Sequence, residues 1–264
     1  MSNVSNLNPR SGGWVVASSV LGVSKRLLSA LVIVVAFSVQ GAFSQWENLP
    51  GKAREVAAAG DSIFSVWSIG ESNAVFKWNE QSFAWENYGG KAERIAVTSD
   101  GTPWVINDQQ IYRLRGRTWQ SMPGKAMTIG AGGGEVWAIG TSNAVFRWNE
   151  RSFAWENYGG KATAIAVDSE GTPWVVNEEQ IYRLRGRTWQ AMPGKALDIG
   201  AGGGTVWCIG DSDAVFQWDE NAFAWINRGG KASRITVSGD GTPYVIQSGP
   251  GGTLIYRLRG LGGM

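Results

Sequence analysis

The sequence predicts an all-β fold, a six-bladed β-propeller of four-stranded antiparallel blades, on three observations. A unit of about 35 residues recurs six times. Each unit carries four short strand-like runs, and the chain begins its first unit with the strand that its last unit lacks. Aligned on an opening tryptophan, the units start at Trp46, Trp85, Trp119, Trp155, Trp189 and Trp225, at spacings of 39, 34, 36, 34 and 36 residues. A period of this size marks supersecondary pieces that bury their apolar faces only against neighbours.

A longer period lies over the first. Trp85, Trp155 and Trp225 are 70 residues apart, as are Trp119 and Trp189, so two kinds of unit alternate in three pairs. One kind carries S-x-A-V-F-x-W-[ND]-E, at Ser72 to Glu80, Ser142 to Glu150 and Ser212 to Glu220. The other carries G-T-P-[WY] and then I-Y-R-L-R-G.

In the second unit the runs are 94–97, 104–106, 111–114 and 119–122, separated by Ser99 to Thr102, Asn107 to Gln110, Gly116-Arg117 and Pro123 to Lys125. Gly, Asn and Asp at the links tolerate left-handed backbone, which tight hairpins require. Four such strands in some 35 residues describe a small propeller blade. The blades are expected at 54–90, 93–124, 126–160, 163–194, 196–230 and 233–260, with 46–50 completing the last. Closure of this kind removes the sheet edges that an open array would leave exposed. Two local departures, extra residues at 60–65 and a Gly/Pro-rich turn at 247–253, are expected to lengthen loops only.

Composition agrees with many short strands and tight turns: 15 tryptophans and 37 glycines in 264 residues, with 17% charged. The basic pI of about 8.7 comes from the leader. Without Arg10, Lys25 and Arg26, 21 basic residues face 22 acidic ones, so no global basic footprint for nucleic acid exists. Cys208 stands where the preceding copy has Ala138 and reads as a small buried hydrophobe. With no histidine in the chain, a histidine-based triad is excluded and thiolate or imidazole metal sites lose support. No metal, cofactor or catalytic set is expected.

Residues 1–44 read as a secretory signal. Leu27 to Val39 is an apolar run behind Lys25-Arg26, followed by the small residues Ala42 and Ser44, with cleavage expected after Ser44. An uncleaved signal anchor is the alternative. The propeller then spans 45–260, with 261–264 as a tail.

The pattern W-x-x-[MLV]-P-G-x-A, then I-x-[AV]-G, [VP]-W-x-[IV] and [IV]-[FY]-R resembles the tectonin repeat across all six units, most closely that of the six-bladed tectonin lectins. The resemblance implies a secreted, multivalent lectin for glycans or lipopolysaccharide on cell surfaces, with a role in innate defence. A protein-interaction scaffold is the alternative. Departures are Tyr244 in the place of Trp104 and Trp174, and Gly-Gly in the place of Pro-Gly at 89–90, 159–160 and 229–230.

Two sets of side chains are candidates for binding. Trp78, Trp148 and Trp218 take the place of Leu114, Leu184 and Leu258, so they either pack in the core or offer a ring face to a sugar. In the second reading Asn79, Asn149, Asp219, Glu80, Glu150 and Glu220 would hold its hydroxyls. Lys52, Lys91, Lys125, Lys161, Lys195 and Lys231 would ring one face of a closed propeller, attracting anions or simply lying over neighbouring aromatics with their heads in water. The turns Arg115 to Arg117 and Arg185 to Arg187 belong to the opposite face and read as solvated. Asp100-Gly101, Glu170-Gly171 and Asp240-Gly241 read as turn formers.

Overall fold

The computed structural model describes residues 46–59, 65–249 and 252–259. The expected leader at 1–44 with its cleavage point, residues 60–64 and the expected tail at 261–264 lie outside the described residues. Among the described residues no helix is long and apolar enough to cross a membrane.

Among the described residues twenty-two strands make six four-stranded antiparallel blades, two strands each serving two blades. Blade 1 takes the second half of β1 (Trp46–Ala59), then β2 (Ser65–Gly70), β3 (Ala74–Asn79) and β4 (Ala84–Lys91). Blade 2 is β5 (Arg94–Val97), β6 (Pro103–Asn107), β7 (Gln110–Arg115) and the first half of β8 (Thr118–Gly132). Blade 3 is the rest of β8 with β9 (Glu135–Gly140), β10 (Val145–Asn149) and β11 (Ala154–Gly159). Blade 4 is β12 (Ala164–Val167), β13 (Pro173–Asn177), β14 (Gln180–Arg185) and β15 (Thr188–Lys195). Blade 5 is β16 (Asp198–Gly202), β17 (Thr205–Ile209), β18 (Ala214–Asp219) and β19 (Ala224–Lys231). Blade 6 is β20 (Arg234–Val237), β21 (Pro243–Gly249), β22 (Gly252–Leu258) and the first half of β1.

The ring closes as the ends of the sequence require. Trp46 pairs with Leu258, Glu47 with Arg257, Asn48 with Tyr256 and Leu49 with Ile255. A register shift between Leu49 and Lys52, and another between Ala53 and Glu55, let β1 leave blade 6 and enter blade 1. The 247–253 segment differs from expectation. Gln247, Ser248 and Gly249 pair with Leu254, Thr253 and Gly252, so the extra residues prolong a hairpin rather than a loop.

The core is six separate clusters, one at each seam between blades. The 70-residue period has its cause here. Seams 2/3, 4/5 and 6/1 hold Trp148, Trp218 and Trp78 against Trp104, Trp174 and Tyr244. Seams 1/2, 3/4 and 5/6 hold Leu114, Leu184 and Leu258 against Trp67, Trp137 and Trp207. Cys208 is buried in the 4/5 cluster, where burial pushes its thiol up to about 12.

The glycine of the Pro-Gly or Gly-Gly pair has a steric reason. Gly160, at φ +75°, lies beneath the next blade's Trp189, and a Cβ there would sit 2.6 Å from the indole nitrogen. The same indole donates to the carbonyl of Gly159 at 3.3 Å. Glycine at this place therefore lets the outer tryptophans Trp85, Trp119, Trp155, Trp189 and Trp225 staple their blades to the previous one, whereas Trp46 packs over Gly230 with its indole N–H unpartnered.

Candidate binding seams

Each seam of the first kind is built on a cross-strand ladder. Trp104 pairs with Arg113 and Arg113 with Gln120; Trp174 pairs with Arg183 and Arg183 with Gln190; Tyr244 pairs with Arg257 and Arg257 with Glu47. Alternation along a strand puts all three side chains of a rung on one face of the blade, toward the next.

At seam 2/3 the guanidinium of Arg113 lies 5.1 Å above Trp104 and its Nη1 donates to both carboxylate oxygens of Glu150, at 2.9 and 3.1 Å. Glu150 also accepts from the indole Nε1 of Trp148 at 2.6 Å. That indole hydrogen bond, then Arg113 and Arg115, hold the Glu150 carboxyl below the usual carboxylate range. These residues line a groove of about 980 Å³ between blades 2 and 3, together with Asp100, Arg115 and Asn149.

Seam 4/5 repeats the arrangement. Arg183 stands 4.9 Å above Trp174 and donates to Glu220 at 3.2 and 3.3 Å, while Trp218 donates to Glu220 at 2.6 Å. The Glu220 carboxyl is lowered for the same reasons. At seam 6/1 Arg257 donates to Glu80 at 2.6 Å and also to Glu47 at 2.5 Å.

The tryptophans expected as sugar platforms have no free face. Trp78, Trp148 and Trp218 are 2%, 6% and 8% exposed. Their rings pack against Trp85, Trp155 and Trp225 on one side and meet Phe83, Phe153 and Phe223 at 4.9–5.1 Å. A large indole on the inward face of a third strand fills the seam, which is the packing reading of the sequence. Asn79, Asn149 and Asp219 are committed as well: each side-chain oxygen accepts two backbone N–H groups of the following turn. Of the expected hydroxyl binders, Glu80, Glu150 and Glu220 remain at the seams, each on an arginine.

The turn that these caps shape carries what the sequence reading missed. Phe83, Phe153 and Phe223 are 48%, 46% and 51% exposed, and all three have positive φ, at 51°, 52° and 50°. Left-handed backbone at a bulky residue costs about 1–2 kcal/mol, a cost carried three times for a half-exposed ring. The signal was present in the sequence, since [ND]-E-x-[SA]-F-A-W recurs every 70 residues where two of the other units have R-G-R-T-W.

The six lysines lie at the ends of outer strands, where the chain crosses to the next blade, and all are exposed. Lys195 pairs with Glu179 at 3.0 Å; among the described residues the other five make no ion pair. Near the same face Glu55 lies between Arg94 and Arg234, at 3.8 and 3.6 Å, at the mouth of an axial channel that Asp198 also lines. Burial pushes the Glu55 carboxyl up to about 7 and that of Asp198 to about 6.

The tectonin domain model matches residues 33–179 and 161–249. The chain belongs to the tectonin family. Tectonin-2 of Physarum polycephalum is 34% identical over 73 residues, 26% of this chain and 21% of that protein, so the match spans about a fifth of the relative's length. Solved structures share the propeller fold at low identity. A gluconolactonase of Xanthomonas campestris superposes with a TM-score of 0.59 at 12% identity, covering 81% of this chain and 89% of its own. The WD40 repeats of RRP9 give 0.55 at 11%, covering 82% and 98%. These likenesses speak to fold alone.

Proposed function

We propose that this tectonin-family propeller is a multivalent glycan-binding protein, and that its sugar sites lie at the seams 2/3, 4/5 and 6/1. One observation carries the reading: an exposed phenylalanine on a strained turn, three residues after the glutamate that bridges to an arginine of the neighbouring blade and packed on the seam tryptophan, recurs three times at the pseudo-threefold spacing. An exposed ring offers an apolar face to a pyranose, and paired carboxylate and guanidinium groups match its hydroxyls. Strained backbone held at equivalent positions points from geometry to use.

Repeated sites turn weak single contacts into avidity on a repetitive surface, which suits capsular or lipopolysaccharide glycans and a role in defence. The lysine face would favour acidic surfaces. Export rests on the apolar leader. Glu150 and Glu220, held below the usual carboxylate range first by the Trp148 and Trp218 indoles, suit the acceptance of sugar hydroxyls and not the role of a general acid.

A printed array of microbial glycans, followed by calorimetry on the best ligand, tests this. Binding that is lost in the triple variant Phe83→Asn/Phe153→Asn/Phe223→Asn supports it. An intact propeller that binds nothing on the array, or binds equally well without the three rings, overturns it.

A further inference from the structure

The three arginine seams are alike in register but not in their fourth group. At seam 6/1 the Nε of Arg257 donates to the Glu47 carboxylate at 2.5 Å, and the Nε of Arg259 donates to the same oxygen at 2.8 Å, with a further contact from Arg259 Nη2. Glu47 thus shows how a carboxylate sits across the two arginines of the R-L-R run.

At the other two seams the cross-strand place of Glu47 belongs to Gln120 and Gln190, neutral amides that are both exposed. The Gln120 carbonyl oxygen accepts from Arg115 Nε at 3.0 Å and leaves Arg113 unserved. The atom that meets Glu47 in Arg257 has no partner in its counterparts: Nε of Arg113 and Nε of Arg183 are both buried and without an acceptor. Arg113 Nη2 is unpartnered too, on a side chain only 10% exposed. A buried guanidinium with idle donors is costly, and the expected remedy is an oxyanion.

We propose that seams 2/3 and 4/5 each bind a carboxylate-bearing sugar, its carboxylate spanning Arg113 and Arg115 or Arg183 and Arg185, while Glu47 occupies the equivalent place at seam 6/1. Gln120 and Gln190 turn outward into solvent to admit the ligand. The proposal rests on the glycan reading and sharpens it. The ligand is an acidic saccharide, and the pseudo-threefold ring has two open acid sites and one filled by its own chain. Arg–carboxylate geometry, bidentate and short, supplies the selectivity over neutral sugars.

Titration of the ¹⁵N-labelled protein with methyl glucuronoside, and separately with methyl glucoside, reads this directly through the arginine Nε–H resonances. The expected result is saturable shifts at Arg113 and Arg183 and none at Arg257, with the glucuronoside at least tenfold tighter than the glucoside. Gln120→Glu/Gln190→Glu, which copies the Glu47 arrangement, should weaken glucuronoside binding at least tenfold while the variant stays folded, and Glu47→Gln should add a third shifting resonance at Arg257. Equal binding of the two sugars, unchanged in the glutamate variant, overturns the carboxylate assignment and leaves the glycan reading standing. A wild-type shift at Arg257 overturns the role of Glu47. No shift with the glucuronoside overturns the proposal, and if array binding is also absent the glycan reading falls with it.

Discussion

The indole N–H of Trp155 in blade 3 donates to the backbone carbonyl of Pro123 in blade 2, at 2.8 Å, and Gly124 lies directly under the ring. The same staple joins Trp85 to Pro50 and Trp225 to Pro193 at 2.8 Å, and Trp119 to Gly89 at 3.2 Å. The recurring pattern of tryptophan in one unit and Pro-Gly or Gly-Gly in the one before is one contact made between units.

Gly124→Ala places a Cβ 3.0 Å from Trp155 Cδ1 at φ +84°, so it combines backbone strain with a displaced indole. It should lower stability by about 2 kcal/mol. Gly89→Ala, at φ +70° with nothing near its Cβ, carries the strain alone and should cost about 1 kcal/mol. Chemical denaturation of the pair separates the two terms.

Leu49 is fully buried in the 6/1 cluster, on the strand that closes the ring. Leu49→Ala should cost about 2–5 kcal/mol and open blade 6 to proteolysis ahead of the others. Limited digestion with mass mapping should find the first cuts in 234–258; first cuts in blades 3 or 4 would contradict the closure account.

Stability should pass through a maximum on the acid side of neutrality. The Glu55 and Asp198 carboxyls, raised to about 7 and about 6 by burial, hold their protons more tightly in the folded protein. Their stabilisation is complete below the ordinary carboxylate range and is lost as pH rises through 6 to 7. Glu47, lowered to about 2 first by Arg259, works in the opposite sense: its contribution is present above about pH 4.5 and is lost as pH falls toward 2. The Tm should therefore be highest at about pH 4.5, where the Glu47 gain is complete and the loss from Glu55 and Asp198 is beginning, and fall by several degrees by pH 8. Glu55→Gln should flatten the alkaline limb, and a Tm that rises steadily from pH 5 to 8 would contradict the assignment.

Phe153→Asn replaces a strained residue with one that accepts left-handed backbone, at the loss of the edge contact with Trp148 at 5.0 Å. The two effects oppose, so the change in stability should stay within about 1 kcal/mol. Glycan binding should fall at the same time, and a melting curve beside a binding isotherm shows both.

Much of this was legible in the sequence. The opening tryptophans counted the blades, and Trp46 to Pro50 against Ile255 to Leu258 gave the closure. The alternation of Trp148 with Leu114 and Leu184 separated the two kinds of seam. The site was less legible, because a tryptophan that fills a seam and one that faces a sugar look alike in a one-dimensional pattern; burial decides between them. The exposed ring belongs to Phe153, whose positive φ follows from the Asn149 cap on its turn, a backbone property that composition does not carry. Arg113 and Glu150 are 37 residues apart in sequence, and only the angle between neighbouring blades brings them together.

The most direct measurement of the central claim follows the indole N–H resonances while the labelled protein is titrated with its best array glycan. Trp148 and Trp218 donate to the seam glutamates, whereas Trp85, Trp155 and Trp225 donate to backbone in the staples. Saturable shifts of the Trp148 and Trp218 resonances are expected, with the staple resonances unmoved. Shifts confined to the staples, or none at all with a glycan that binds, would place the sugar elsewhere on the propeller.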